Sequence, residues 1–282
     1  MAKTKLRVLL LSDLHYCQEE YGGISRDEKA ERIIRQINEE HQKHPFAMIL
    51  FLGDYSLDYW AWNTKGTWLT EGKSYTKLFF DRYCQELPAT FYMLPGNHEQ
   101  YDEEQWQQIT GFSRSAHFVI GDYLFILWDS FGADLNPTEH SDGTYTPPNA
   151  ENLLRIMDEH PGKKVILCSH SFQPTLAPEE CALIRDPRIV CLFQGHTHLC
   201  GVITLPEEYG GKKLIQTGAW ASIYSPATNY PWGMRDLYLE EDQITSGYIV
   251  PRQQHVYKGN TYTVSARYQD TIEIQTSDSG RI

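Results

Sequence analysis

Short apolar runs of β type alternate along this chain with stretches whose apolar residues recur at helical spacing, and few architectures accept that order. LRVLLLS (6–12), FAMILFLG (46–53), TFYMLPG (90–96), KVILCS (164–169) and IVCLFQ (189–194) read as strands. Between them RDEKAERIIRQINEEHQK (26–43) places Ala30, Ile33, Ile34 and Ile37 on one stripe with charge elsewhere, which predicts an amphipathic helix. Residues 75–87, 149–159 and 178–185 read as further helices, and HFVIGDYLFILWDS (117–130) as a hairpin turning at Gly121-Asp122. Alternation of this kind implies an α/β fold whose central strands are covered on both faces. From about residue 201 strands and turns dominate. Residues 1–251 read as one domain, and 252–282 as a polar β-type extension of it.

At 282 residues the chain is long enough to bury a core that needs no disulfides. Its six cysteines are scattered without a C-x-x-C pair, and Cys168 and Cys191 sit inside apolar runs. Buried reduced thiols in a cytoplasmic protein are the expectation. The apolar run Val8–Leu11 is too short for a secretory signal, and no stretch approaches a membrane span. A net charge of -12 with no basic cluster argues against duplex nucleic acid as a partner.

The polar residues that close the apolar runs carry the functional signal. LLLSDLH ends in Asp13 and His15, ILFLGDYSLD in Asp54, and FYMLPGNHE in Asn97, His98 and Glu99; VILCSH ends in His170 and CLFQGHTH in His196 and His198. Open α/β sheets bind ligands at strand C-terminal ends. Gly53, Gly96 and Gly195 precede three of these groups and allow sharp turns. Each end alone has an ordinary explanation, as a helix cap, a turn or a hydrogen-bonded histidine. In an extended segment His196 and His198 would lie roughly 6.6 Å apart at about 3.3 Å per residue, able to grip one ion or two neighbouring ones. Taken together, the oxygen and nitrogen donors without thiolate exceed one tetrahedral zinc site. They fit two divalent ions with a carboxylate able to bridge them, an arrangement suited to phosphoryl chemistry.

D-x-H, G-D, G-N-H-E, a lone H after a strand, and G-H-x-H, in that order over about residues 5–200, resemble the calcineurin-like metallophosphoesterases. The resemblance implies a four-layer α/β/β/α sandwich with a dinuclear metal site at the strand C-terminal edge. It implies a first ion held by Asp13, His15 and His198, Asp54 as bridge, and a second ion held by Asn97, His170 and His196. His98 would lie beside the substrate, where a histidine can donate a proton to the leaving oxygen while a water acidified by the ions attacks. Mixed His/Asp/Asn donors accept Mn, Fe, Co, Ni or Zn.

Departures from the family's branches narrow the expected substrate. GDYSLDYW lacks the arginine of the protein-phosphatase motif G-D-x-V-D-R-G, and its Asp58 falls one place late, leaving Asp58 a weak candidate to orient His98. His15 argues against the purple acid phosphatases. The expectation is a phosphoesterase acting on a small-molecule phosphodiester or nucleotide-like ester, with no membrane partner. A phosphomonoesterase, protein-phosphatase-like or not, is the alternative; a non-catalytic scaffold fits less well because every ligand position is filled. The aromatic residues Tyr55, Tyr59, Trp60, Trp62 and Trp68, and again Trp220, Tyr224, Tyr230 and Trp232, read either as core or as a wall for an organic leaving group, core being slightly favoured.

Overall fold

The computed structural model describes residues 5–17, 24–59, 74–132, 135, 143–221, 232–241, 243–257 and 259–273. Strands β1 (Leu6–Leu11), β2 (Met48–Leu52) and β3 (Phe91–Leu94) run parallel. They join β10 (Met234–Leu239), β11 (Gln243–Tyr257) and β12 (Asn260–Glu273) in a six-stranded sheet ordered β12-β11-β10-β1-β2-β3. The second sheet, also six-stranded, is ordered β4-β5-β6-β7-β9-β8. It contains the hairpin β4 (Ala116–Ile120) and β5 (Tyr123–Leu127), then β6 (Lys164–Ser169), β7 (Ile189–Gln194), β8 (Val202–Thr204) and β9 (Lys213–Gln216). Residue 252 falls within β11, so the described part of the polar tail, to Glu273, continues the first sheet.

Side-chain alternation along the strands dictates the layering. Leu9 and Leu11 of β1 pack with Ile33, Ile34 and Ile37 of α1 (Arg26–Lys43), Phe79 and Tyr83 of α2 (Tyr75–Tyr83) and Trp106 of α3 (Glu103–Thr110). Val8 and Leu10 point the other way, into an apolar layer with Leu50, Leu52, Phe125, Ile166, Cys168 and Phe193 between the two sheets. On the far face, Leu124, Ile126, Val165 and Leu167 meet Leu153, Ile156 and Met157 of α4 (Ala150–Asp158) and Leu183 and Ile184 of α5 (Pro178–Arg185). The result is the expected α/β/β/α sandwich. All six cysteines are free, and Cys168 and Cys191 are buried. Among the described residues, no helix is long and apolar enough to cross a membrane.

Helix α3 escapes the periodicity argument because its eight residues bury only Trp106 and Thr110. Its sequence signal is the cap: Asp102 and Gln105 form a reciprocal capping box, and Gly111 ends the helix at φ 76°. Tyr55, Tyr59, Trp220 and Trp232 are buried in the core, which answers the aromatic question for those four. Trp60, Trp62, Trp68, Tyr224 and Tyr230 lie outside the described residues.

One buried ionic cluster ties the first helix layer to its sheet. Arg7 of β1 donates to both carboxylate oxygens of Asp236 on β10, at 2.7 and 2.9 Å. It also donates to the Glu40 carbonyl (2.7 Å), the His44 carbonyl (2.6 Å) and the Glu40 carboxylate (3.1 Å). Removing one partner leaves buried charge uncompensated. Arg7→Met is therefore expected to lower the unfolding free energy by about 3–5 kcal/mol, measured by urea denaturation.

Candidate metal centre

The parallel strands β1, β2 and β3 of one sheet and β6 and β7 of the other deliver their C-terminal ends to a single edge. After β1 the chain keeps following β2: the Asp13 amide donates to the Gly53 carbonyl (3.0 Å), Leu14 to Asp54 (2.8 Å) and Tyr16 to Tyr55 (2.6 Å). Holding side chains inward at these turns demands unusual backbone. Among the described residues six non-glycine positions have positive φ, and five are Asp13 (55°), His15 (47°), Asp54 (56°), His196 (64°) and His198 (59°). Such conformations cost roughly 1–3 kcal/mol each and persist where the surroundings over-determine them. Gly53, at φ 88°, and Gly195 are needed for closeness: a Cβ on Gly53 would stand 2.5 Å from His170 Nδ1, and one on Gly195 2.7 Å from Ser12.

Asp54 is the hub. Its Oδ1 accepts the His98 amide at 3.2 Å. Its Oδ2 faces three imidazole Nε2 atoms, those of His170 at 3.1 Å, His15 at 3.6 Å and His98 at 3.7 Å. Asn97 Oδ1 lies 3.0 Å from His170 Nε2 and 2.9 Å from His196 Nδ1. Across the cleft, Asp13 Oδ1 lies 3.3 Å from His198 Nε2, while its Oδ2 accepts the Ser12 hydroxyl (2.5 Å) and the His196 amide (3.0 Å). Three groups could each hold a metal ion: Asp13, His15 and His198; His15, Asp54 and His98; and Asp54, His170 and His196. The eight residues that the family resemblance assigns to the centre thus converge.

The donor chemistry fits cations. His170 Nδ1 lies 2.6 Å from the Leu52 carbonyl, which only accepts, so Nδ1 carries hydrogen and Nε2 faces the two acceptors Asp54 and Asn97. A proton or a metal ion must stand between them. Burial works against the charged form of His170, but Asp54 outweighs it and raises its pKa to about 9. Burial lowers His15 to about 4, leaving its lone pair available. For Asp54 burial alone would raise the pKa; the surrounding His170, His98 and His15 more than reverse it and keep the carboxylate well below its ordinary range. His98 is held differently. Its Nδ1 lies 2.5 Å from the Tyr59 carbonyl, which fixes the tautomer and turns Nε2 to the cleft.

Asp58 does not orient His98. Its carboxylate accepts the amides of Tyr75 (2.6 Å) and Thr76 (3.0 Å) at the start of α2, together with the hydroxyls of Ser74 and Tyr101. A main-chain carbonyl one residue further on does that work, and sequence patterns do not display carbonyls. Three further supports surround the centre, one from the G-N-H-E motif and two that no motif marks. Buried Glu99 accepts the amides of Asp54 (2.8 Å), Gly96 (2.8 Å) and Ser56 (3.1 Å), locking the β2 and β3 turns together. Burial and then the Asp54 charge raise its pKa to about 8 against those amides. Buried Lys29 donates to the His15 carbonyl at 3.1 Å. The signal for it was its place one turn before Ile33 on the apolar stripe of α1. Phe131, beyond β5, packs its ring 5.9 Å from His170 and 5.8 Å from His196.

The sequence pattern of the calcineurin-like phosphoesterases matches residues 6–200. A probable cyclic nucleotide phosphodiesterase of Pseudoalteromonas sp. (strain SM9913) is 24% identical over 209 residues, covering 70% of this chain and 72% of that protein. A dimetal phosphatase from Danio rerio shares the fold at TM-score 0.66 and 14% identity, covering 96% of this chain and 99% of that one. The purple acid phosphatase PPD1 of yellow lupin does so at TM-score 0.55 and 12% identity, covering 96% of this chain and 54% of that one. Since the matched region holds every converging donor from Asp13 to His198, the chain belongs to the calcineurin-like phosphoesterase family, and it is a phosphoester hydrolase.

Proposed function

We propose that this protein hydrolyses a small phosphodiester or nucleotide-like phosphate ester with two divalent ions. Asp13, His15 and His198 would hold one ion and Asn97, His170 and His196 the other, with Asp54 between them. The observation that carries the reading is Asp54 Oδ2 within 3.1–3.7 Å of imidazole nitrogens from three different strand ends. Divalent ions bound there supply charge stabilisation to the phosphoryl oxygens and acidify the attacking water. The chain's own residues then have distinct tasks. Asp54 is held by the His98 amide on one oxygen and offers the other. His98, steadied through Nδ1 by the Tyr59 carbonyl, presents Nε2 to protonate the leaving oxygen. The likeness to a probable cyclic nucleotide phosphodiesterase supports a diester. So does the net charge of -12, which disfavours long polyanions.

Protein reconstituted with excess Mn is expected to contain two ions per chain by elemental analysis, and Asp54→Asn to lose most of both metal and activity. One ion or fewer in the wild type would overturn the dinuclear reading. His98→Ala is expected to keep both ions while kcat falls by roughly 10²–10⁴ for alkyl esters, the scale of a lost general acid. The loss should shrink for nitrophenyl esters, whose leaving groups need no proton; an equal loss for both would make His98 a phosphate-positioning group. Finally, a small diester such as a cyclic nucleotide should give a higher kcat/KM than a phosphopeptide under the same metal. The reverse order would reject the substrate class while leaving the centre intact.

A further inference from the structure

The loop that carries His196 and His198 belongs to the second sheet, yet it is gripped by a side chain from the first. Arg235 lies on β10, paired with Leu10 of β1 and therefore on the face that looks into the layer between the sheets. It is fully buried. Its Nε donates to the Gln216 carbonyl at 2.9 Å, and its Nη2 to the carbonyls of Cys200 and, at 3.4 Å, Gly201. The guanidinium sits 5.3 Å from the centre of the buried Tyr248 ring. Further ties of the loop go to the same region, whereas the His196 amide is held by Asp13 Oδ2 at 3.0 Å. Gly218 donates its amide to the Leu199 carbonyl (2.8 Å), Gln216 its amide to Gly201 (3.0 Å) and its side-chain amide to the Thr197 hydroxyl (3.0 Å). All these supports lie beyond residue 200, outside the segment that the family pattern covers.

We propose that Arg235 is a positioning residue of the metal centre, which sets where His198 meets Asp13 and so fixes the affinity of the ion held on that side. The inference rests on the dinuclear reading given above. Cys200 and Gly201 are two and three residues from His198 but four and five from His196, which has anchors of its own: Asn97 Oδ1 at 2.9 Å from its Nδ1 and Asp13 Oδ2 at 3.0 Å from its amide. Both His196 and His198 stand at positive φ, so the loop has a relaxed alternative whenever its carbonyls are released. A guanidinium suits the task because donors on separate nitrogens reach carbonyls of two different segments. A lysine ammonium offers its donors from one point and cannot span them. The residue makes no direct contact with substrate in this role; it acts through the His198 loop.

The test compares wild type, Arg235→Lys and Arg235→Met, stripped of metal and titrated with Mn and Co against a chelating indicator, with unfolding measured on the metal-free proteins. Asp236→Asn serves as control, since it weakens the neighbouring ion pair on the opposite face of β10 without touching the loop. In both Arg235 variants one of the two dissociation constants should rise at least tenfold while the other changes less than threefold. Amide hydrogen exchange over residues 196–201 should quicken in Arg235→Lys, and Asp236→Asn should lose stability while keeping both constants. Two ions bound with wild-type affinity in Arg235→Lys would overturn the assignment, as would a parallel loss of both ions matched by Asp236→Asn at equal stability. If wild type itself binds fewer than two ions, the dinuclear reading fails and this inference falls with it. That outcome is distinct from two ions bound at wild-type affinity in the Arg235 variants, which defeats the role of Arg235 alone.

Discussion

One carboxylate oxygen, Asp54 Oδ2, makes the greatest demands on this fold. It is buried, and imidazole nitrogens from His15, His98 and His170 stand around it at 3.1–3.7 Å. A carboxylate removed from water is costly unless opposite charge or hydrogen bonds replace the solvent. Here the replacement comes from three separate strand ends, so those ends must share one edge and turn sharply within a residue or two. The left-handed backbone at Asp13, His15, Asp54, His196 and His198 is the structural consequence. Glu99 limits the damage by collecting three amides that these turns would otherwise leave without partners.

The imidazoles around the hub are chemically unequal, and their inequality bears on how a cation would enter. Burial leaves His15 neutral well below physiological pH, whereas His170 keeps a proton up to about pH 9 because Asp54 outweighs its burial. A cation arriving at the His170 side must displace that proton, while on the His15 side it meets a ready lone pair. Metal uptake at such a centre releases protons and weakens in acid. The same geometry keeps His98 apart from the others, since its Nδ1 is engaged by a main-chain carbonyl and its own amide braces Asp54.

Where side-chain identity and chain order determine structure, the sequence was readable. The hairpin at Gly121-Asp122, helix α1, and strands β6 and β7 all lie where hydrophobic periodicity puts them. The polar groups closing five apolar runs do meet at one edge. Features governed by main-chain atoms or by distant partners were not readable. The Tyr59 carbonyl under His98, the Leu52 carbonyl under His170 and the Glu99 amide cluster leave no trace in residue spacing. Asp58, a weak candidate for orienting His98 by its place after G-D, instead accepts the amides at the start of α2. Helix α3 was too short for its apolar residues to reveal a period.

The division of the centre between two sheets turns ordinary core packing into a functional variable. Asp13, Asp54 and Asn97 ride on the first sheet; His170, His196 and His198 ride on the second. Both candidate ion positions therefore straddle the apolar layer formed by Val8, Leu10, Leu50, Leu52, Phe125, Ile166 and Phe193. Direct ties across that layer include the Leu52 carbonyl on His170 at 2.6 Å, Ser12 against Thr217 at 2.6 Å beside Asp13, and Arg235 on the Gln216 carbonyl at 2.9 Å. Protein interiors are close-packed and transmit strain rather than absorbing it. A methylene lost at Leu52 would leave a void between the sheets, and donors that must converge to within hydrogen-bond distance feel any relaxation into it directly. The inter-sheet core is thus part of the reaction's geometry, and residues with no polar atom near the cleft help determine whether the two halves of the centre meet.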